Sequence, residues 1–270
     1  MEDQITDVAI LGNEMAILRE KASIDIQVST AMAFPRNLKL CLENSIFTAT
    51  MDVETASTCG YAVPRGGKSI TGPSVHLAKI IMQNWGNFRA EAKVIEVEDK
   101  NVVSEAVAWD LEKNVAVKVT VKRSIMTKTG RMNEDMITVT GNAANAIALR
   151  NAIFNVIPRA ITDKVYLSAQ NKIIGDKEKF PKRVQSVLDG YKKTYQKEES
   201  EVLALVGKTT KEQIVSDDLV VLIGIAQSLK DGDTTVEIVF KTNKTGEEKK
   251  EDLKEKQSDG SLFDASKEMP

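Results

Sequence analysis

Two lysines in this chain follow a glycine and precede a hydroxyl residue: Gly67-Lys68-Ser69 and Gly207-Lys208-Thr209. That order ends a phosphate-binding loop, G-x-x-x-x-G-K-[ST]. The loop must join a strand to a helix, so that backbone amides and the helix N-terminus meet the phosphates. Spacing removes both candidates. The first glycine would have to stand at Ala62 in one and at Val202 in the other. Ile70-Thr71-Gly72-Pro73 also keeps a helix from starting at Lys68, and the stretch before Gly207 has a helical pattern. A divergent nucleotide-binding enzyme is therefore the weakest of the functional alternatives.

Other catalytic constellations are short of residues. His76 is the single histidine, placed at helical spacing between Val75 and Lys79, and any Ser-His-Asp or Cys-His site would need it. Cys41 and Cys59 are the only cysteines, too few soft ligands for a structural zinc, and they read as buried small hydrophobes in a reducing compartment. Asp110 with Glu112, Glu134 with Asp135, and Asp217 with Asp218 fall at turns or helix starts, where carboxylates serve backbone amides. No catalytic residue, metal or cofactor is expected.

Charge points elsewhere. Residues 60–195 hold 22 Lys/Arg against 13 Asp/Glu, or +9, and the rest hold 15 against 26, or −11, within a net −2. A positive centre between acidic ends suits a polyanion-binding core with solubilising or partner-binding extensions. The chain is 42% hydrophobic and 28% charged, has no run of about 18 apolar residues, and starts Met-Glu-Asp-Gln-Ile-Thr-Asp. A cytoplasmic protein without a membrane partner is expected.

The elements that must position these charges follow from periodicity. Apolar residues at Ile5, Val8, Ala9, Leu11, Met15 and Leu18 predict a helix, a second pattern runs from Ile24 to Ala31 before Pro35, and Arg36–Met51 predicts another. Asp52 is a cap for a short helix. Tyr61-Ala62-Val63 and Lys68-Ser69-Ile70 around Pro64-Arg65-Gly66-Gly67 predict a hairpin, and Thr71 or Ser74 caps a helix through Gln83. Alternation over Phe88–Ile95, Val103–Leu111 and Val115–Lys122 predicts an antiparallel meander, its last strand a valine ladder with a basic outer face. A basic loop (127–133), helices over 140–157 and 160–174, and a basic helix over 179–195 follow.

The expected fold class is α+β: an antiparallel β-meander and short hairpin packed with helices, a helical N-terminal region and a small helical C-terminal module. Boundaries are placed at 1–58 for the helical region, 59–196 for the core, a hinge at Lys197-Glu198-Glu199-Ser200, 201–240 for the module and 241–270 for a disordered tail.

The order and type of the elements resemble the phage single-strand annealing recombinases, the RecT, Redβ and Erf group. The similar features are the glycine-containing turn and helix (Gly72-Pro73-Ser74 to Gln83), the meander (Phe88 to Arg123), the alanine- and arginine-rich helix (Gly141 to Arg159), and a helical module after a hinge. The resemblance implies ATP-independent coating and annealing of single-stranded DNA by rings or filaments of the chain, in a bacterial host. It also implies that the 201–240 module engages the host single-stranded-DNA-binding protein. Ser261-Leu262-Phe263 resembles the apolar end of sliding-clamp docking peptides, without their upstream glutamine.

On this reading Lys118, Lys122 and Arg123 neutralise phosphates, with Lys128 and Arg131 assisting from the loop. Arg65, Gly66, Gly67 and Lys68 bring charge and amides to the strand, and Arg150 and Arg159 meet either an anion or a structural carboxylate. Tyr61, Trp85 and Trp109 are candidates for base stacking. The runner-up is a non-enzymatic phage assembly or scaffold protein.

Overall fold

The computed structural model describes residues 2–65, 68–127 and 129–240, with side chains from Glu14 onward. Gly66, Gly67, Lys128 and the 241–270 tail with Leu262 and Phe263 lie outside these residues. The fold is α+β, with antiparallel sheets.

The two apolar patterns before Pro35 form one helix, α1 (Glu2–Ala33), because neither glycine nor proline stands between them to break it. α2 (Leu38–Ala49) starts after Asn37, whose side-chain oxygen accepts from the Lys39 and Leu40 amides at 3.1 and 3.2 Å. Asp52 caps α3 (Val53–Thr58), accepting from the Thr55 amide at 2.6 Å. β1 (Gly60–Arg65) and β2 (Lys68–Pro73) form the hairpin. Ser74 then caps α4 (Val75–Trp85), accepting from the His76 and Leu77 amides at 3.2 Å, so that Val75, Ala78 and Ile81 are buried.

β3 (Phe88–Val97), β4 (Asn101–Asp110) and β5 (Val115–Ser124) form the meander in that spatial order, with a bulge in β3 at Ile95. The basic loop contains a minimal hairpin, β6 (Met126–Thr127) with β7 (Gly130–Arg131). α5 (Glu134–Val156) begins at Glu134 rather than Thr140, since Asn133 caps it by accepting from the Met136 amide at 2.8 Å. α6 (Arg159–Ile174), α7 (Phe180–Tyr195), α8 (Glu199–Ala204) and α9 (Ser216–Lys230) follow.

Among the described residues, those within 1–59 and 73–169 form one compact unit, and those within 60–72 and 170–270 form a second. The segment expected as a single core, 59–196, is divided between them. In the first unit α5 covers one face of the meander. Its buried Gly141 allows close approach: a Cβ there would lie 3.1 Å from Val94 Cγ2. Val102, Ala106 and Ala108 of β4 are buried on this side, each excluding apolar surface from water at roughly 25 cal/mol per Å².

The second unit explains why the hairpin leaves the meander. Gly224 of α9 lies so close to β1 that a Cβ would meet Ala62 N and Cβ at 3.0 Å. The Ala62 amide donates to Ser228 Oγ at 3.2 Å, and Ala62 shares one core with Leu188, Tyr191, Leu203, Leu222 and Ile225. Within that core the Tyr191 hydroxyl donates to the Leu222 carbonyl at 2.7 Å. α7 thus packs with the C-terminal helices. The stretch expected as a hinge instead starts α8, where the Glu201 carboxylate accepts from the Glu198 amide at 3.1 Å. No helix among the described residues is long and apolar enough to cross a membrane.

Candidate nucleic-acid interface

Strand register separates the two faces of the meander. Ala90, Ala92 and Val94 lie beside Ala108, Ala106 and Ser104, which pair in turn with Val117, Val119 and Val121, and this is the α5 side. The opposite side carries Arg89, Glu91 and Lys93 on β3, Glu105, Val107 and Trp109 on β4, and Ala116, Lys118, Thr120 and Lys122 on β5. Along β5 these side chains are exposed, with Lys118 at 62% and Lys122 at 59% of side-chain area. Period-two alternation in a half-buried antiparallel sheet therefore places four cations on the side away from α5.

Three of the four cations are paired. Lys118 Nζ stands 3.1 Å from Glu105 Oε1, Lys122 pairs with Glu98, and Arg89 pairs with Glu20 of α1. Hydrogen bonds from Lys122 and Asn101 hold the Glu98 carboxyl below its usual range, and the Glu98 contact raises Lys122. A polyanion arriving here would exchange these carboxylates for phosphates rather than meet unpaired charge. Trp109 sits half-buried on the same side, directly across from Arg89 and Ala116, its indole N–H without an acceptor among the described residues.

A second cluster sits where the first unit's elements converge. The Arg36 side chain, 3% exposed, pairs with both Asp110 and Glu112 and lies 4.7 Å over the Trp85 ring. The Trp85 indole donates to Asp110 Oδ2 at 3.1 Å, and Asn87 Nδ2 donates to the Phe34 carbonyl at 2.8 Å and to Glu112 at 3.2 Å. Gly86 (φ 65) and Asn87 (φ 48) make the sharp exit from α4 that permits this. Burial alone would raise the Asp110 pKa, but hydrogen bonds from Arg36, Trp85 and the Lys113 amide hold it below the usual range. Glu112 is lowered chiefly by the hydrogen bond from the Arg36 amide. Every polar group here has a protein partner, so the cluster holds the fold together.

No protein-family model, curated protein or solved structure matches this chain.

The expected site residues divide accordingly. Lys118 and Lys122 fall on the side away from α5. Arg123, next along the strand, takes the α5 side by the same alternation and is half-buried. Arg131 donates to the Glu98 and Asp99 carbonyls at 3.0 and 2.9 Å, so it clamps the β3–β4 turn. Arg159 is exposed and pairs with Asp163 at 3.2 Å, and Arg150 Nε donates to Asn151 Oδ1 at 3.2 Å. Arg65 and Lys68 are exposed on the hairpin of the second unit, and are therefore not part of the meander's own surface. Lys68 begins β2 rather than a helix, and Lys208 pairs with Asp218 at 3.5 Å, as neither would in a phosphate loop.

Among the aromatics, Trp85 is corrected from stacking platform to core: it is 4% exposed with its N–H satisfied. The Tyr61 ring lies against Gly72, where a Cβ would come within 2.9 Å of it. Trp109 lies on the same side of the meander as Lys118 and Lys122. Arg89 and Lys93 were missed, although the alternation Arg89, Glu91, Lys93 carries the signal once β3 is registered on β4. Arg36 was missed because nothing local marks it; its partners lie 74 and 76 residues away.

Proposed function

We propose that the chain is a non-enzymatic, ATP-independent single-stranded DNA-binding and annealing protein of a phage, working as an oligomer along the strand in the bacterial cytoplasm. One observation carries the reading: Arg89, Lys93, Lys118 and Lys122 share with Trp109 the side of the meander that α5 leaves uncovered. Phosphates displace Glu98 and Glu105 from the lysines, counterions are released, and the indole offers a surface to a base. The resemblance to the RecT, Redβ and Erf group in the order and type of elements supports the same reading. The helical module over 201–240 serves the host single-stranded-DNA-binding protein, and Arg65 and Lys68 are exposed cations of the second unit itself. A sliding-clamp contact through Leu262 and Phe263 belongs to the same proposal.

The test is annealing of complementary oligonucleotides without nucleotide or metal, at two salt concentrations. Faster annealing that weakens steeply with salt is the expected result. Salt-insensitive binding, or none, overturns the proposal. The second reading, an assembly or scaffold protein, draws on the apolar residues exposed along α1 and α2. It predicts oligomers that ignore DNA and an unchanged behaviour on charge reversal at Lys118 and Lys122.

A further inference from the structure

Of the 22 large hydrophobic residues exposed among the described residues, 11 lie between Met15 and Val53. In α1 the half-buried stripe is Ile24, Gln27 and Val28, leading to fully buried Ala31, while Met15, Leu18, Ile26 and Met32 are exposed. Ala16, Ile17, Glu20, Lys21 and Ile24 line a shallow, open and mostly apolar depression that continues the Ile24–Ala31 stripe. The helix has 32 residues, about 48 Å, and among those with described side chains burial increases toward its C-terminal end. Exposed apolar surface on this scale marks an interface.

Charge selects what covers it. α1 carries six Asp/Glu and two Lys/Arg, or −4, so two α1 helices laid together would set like charges against each other. Residues 177–197 carry seven Lys/Arg and two Asp/Glu, or +5, and Lys177, Lys179, Lys182, Lys192 and Lys193 are exposed. Lysine stems cover apolar surface while their ammonium groups reach neighbouring carboxylates.

From this we infer that α1 docks on the basic α7 surface of a second copy of this chain. Donor and acceptor patches differ, so the contact is heterologous and propagates from copy to copy, closing into a ring or growing as a filament. The inference rests on the oligomer part of the reading above and is independent of DNA.

The experiment measures the mass of the full chain by sedimentation, without DNA, at low and high salt. Wild type should exceed one chain at micromolar concentration, and Leu18→Glu with Ile26→Glu should require a concentration at least about a hundredfold higher. Both residues are exposed, so circular dichroism and the thermal midpoint should stay at wild-type values. Lys182→Glu with Lys193→Glu should weaken assembly, and adding Glu14→Lys with Asp25→Lys should restore it. A wild type that stays a single chain, an unaffected Leu18/Ile26 variant, or a failed charge rescue overturns the inference. So does stronger assembly in Glu14→Lys/Asp25→Lys alone, which would mean that α1 pairs with itself. A single-chain wild type that binds oligonucleotide overturns this inference and leaves the DNA reading standing. An assembled wild type that ignores DNA does the reverse.

Discussion

Arg36, in the turn between α1 and α2, places its guanidinium against the carboxylate of Asp110 at the end of β4. Both side chains are at most 5% exposed, and Glu112 and the Trp85 ring complete the enclosure. Removing one partner of a buried pair leaves the other charged and unsolvated. Arg36→Ala should therefore lower the unfolding free energy by about 3–5 kcal/mol, read by urea denaturation. Arg36→Lys should recover little, because an ammonium cannot bridge two carboxylates and also lie flat on the indole.

The same cluster sets an acid limit. The folded-state pKa values of Asp110 and Glu112 are depressed, so their stabilisation is fully present above the unfolded values of about 3.9 and 4.3. It is lost as pH falls through the folded values. The wild-type thermal midpoint should fall steeply below about pH 4, and Arg36→Ala should start lower and fall less. Parallel acid curves for the two proteins would contradict the assignment.

On the meander, charge reversal separates phosphate contacts from structural pairs. Lys118→Glu and Lys122→Glu should each weaken oligonucleotide binding and reduce the salt slope by about one counterion. Glu98→Gln and Glu105→Gln should strengthen binding, since each frees the lysine it now holds. Arg131→Ala should instead loosen the β3–β4 turn and leave the salt slope unchanged. Fluorescence anisotropy across a salt series reads all five.

The thiols should be silent in the folded protein. Cys59 is fully buried, and burial pushes its pKa up to about 12; Cys41 is raised for the same reason. The thiolate is the reactive form, so alkylation at pH 8 should be slow until denaturant exposes both residues. Fast native labelling of Cys59 would show that α3 opens readily.

Local patterns carried most of the element order. Asp52, Ser74 and the valines of β5 sit where their types require, because capping and alternation are properties of a few neighbouring residues. What escaped was long-range. Asp110 and Glu112 read as turn acids until Arg36 closed on them, and Trp85 read as a stacking ring until Asp110 took its N–H. The hairpin appeared to introduce the meander, since nothing near Ala62 announces Ser228. Lys118 and Lys122 were legible as a basic face, while Glu98 and Glu105 became their partners only through strand register.

The hairpin's place in the second unit yields the sharpest packing test. Gly224 faces the β1 backbone, and a methyl group there would stand 3.0 Å from Ala62 N, from Ala62 Cβ and from the Tyr61 carbonyl carbon. Two of those atoms are backbone, so no rotamer change relieves the contact; β1 and α9 must separate. Such overpacking typically costs about 1–3 kcal/mol, against a small gain from alanine's better helix propensity. Separation would also stretch the bond from the Ala62 amide to Ser228 Oγ, which now stands at 3.2 Å. Gly224→Ala should therefore destabilise the second unit and speed amide exchange at Ala62 and along α9, with Val102 and Ala106 of the meander unaffected. Ser228→Ala should speed exchange at Ala62 with a smaller loss of stability, since it removes one acceptor without forcing the elements apart. Equal exchange at Ala62 in all three proteins would mean that β1 does not pack on α9.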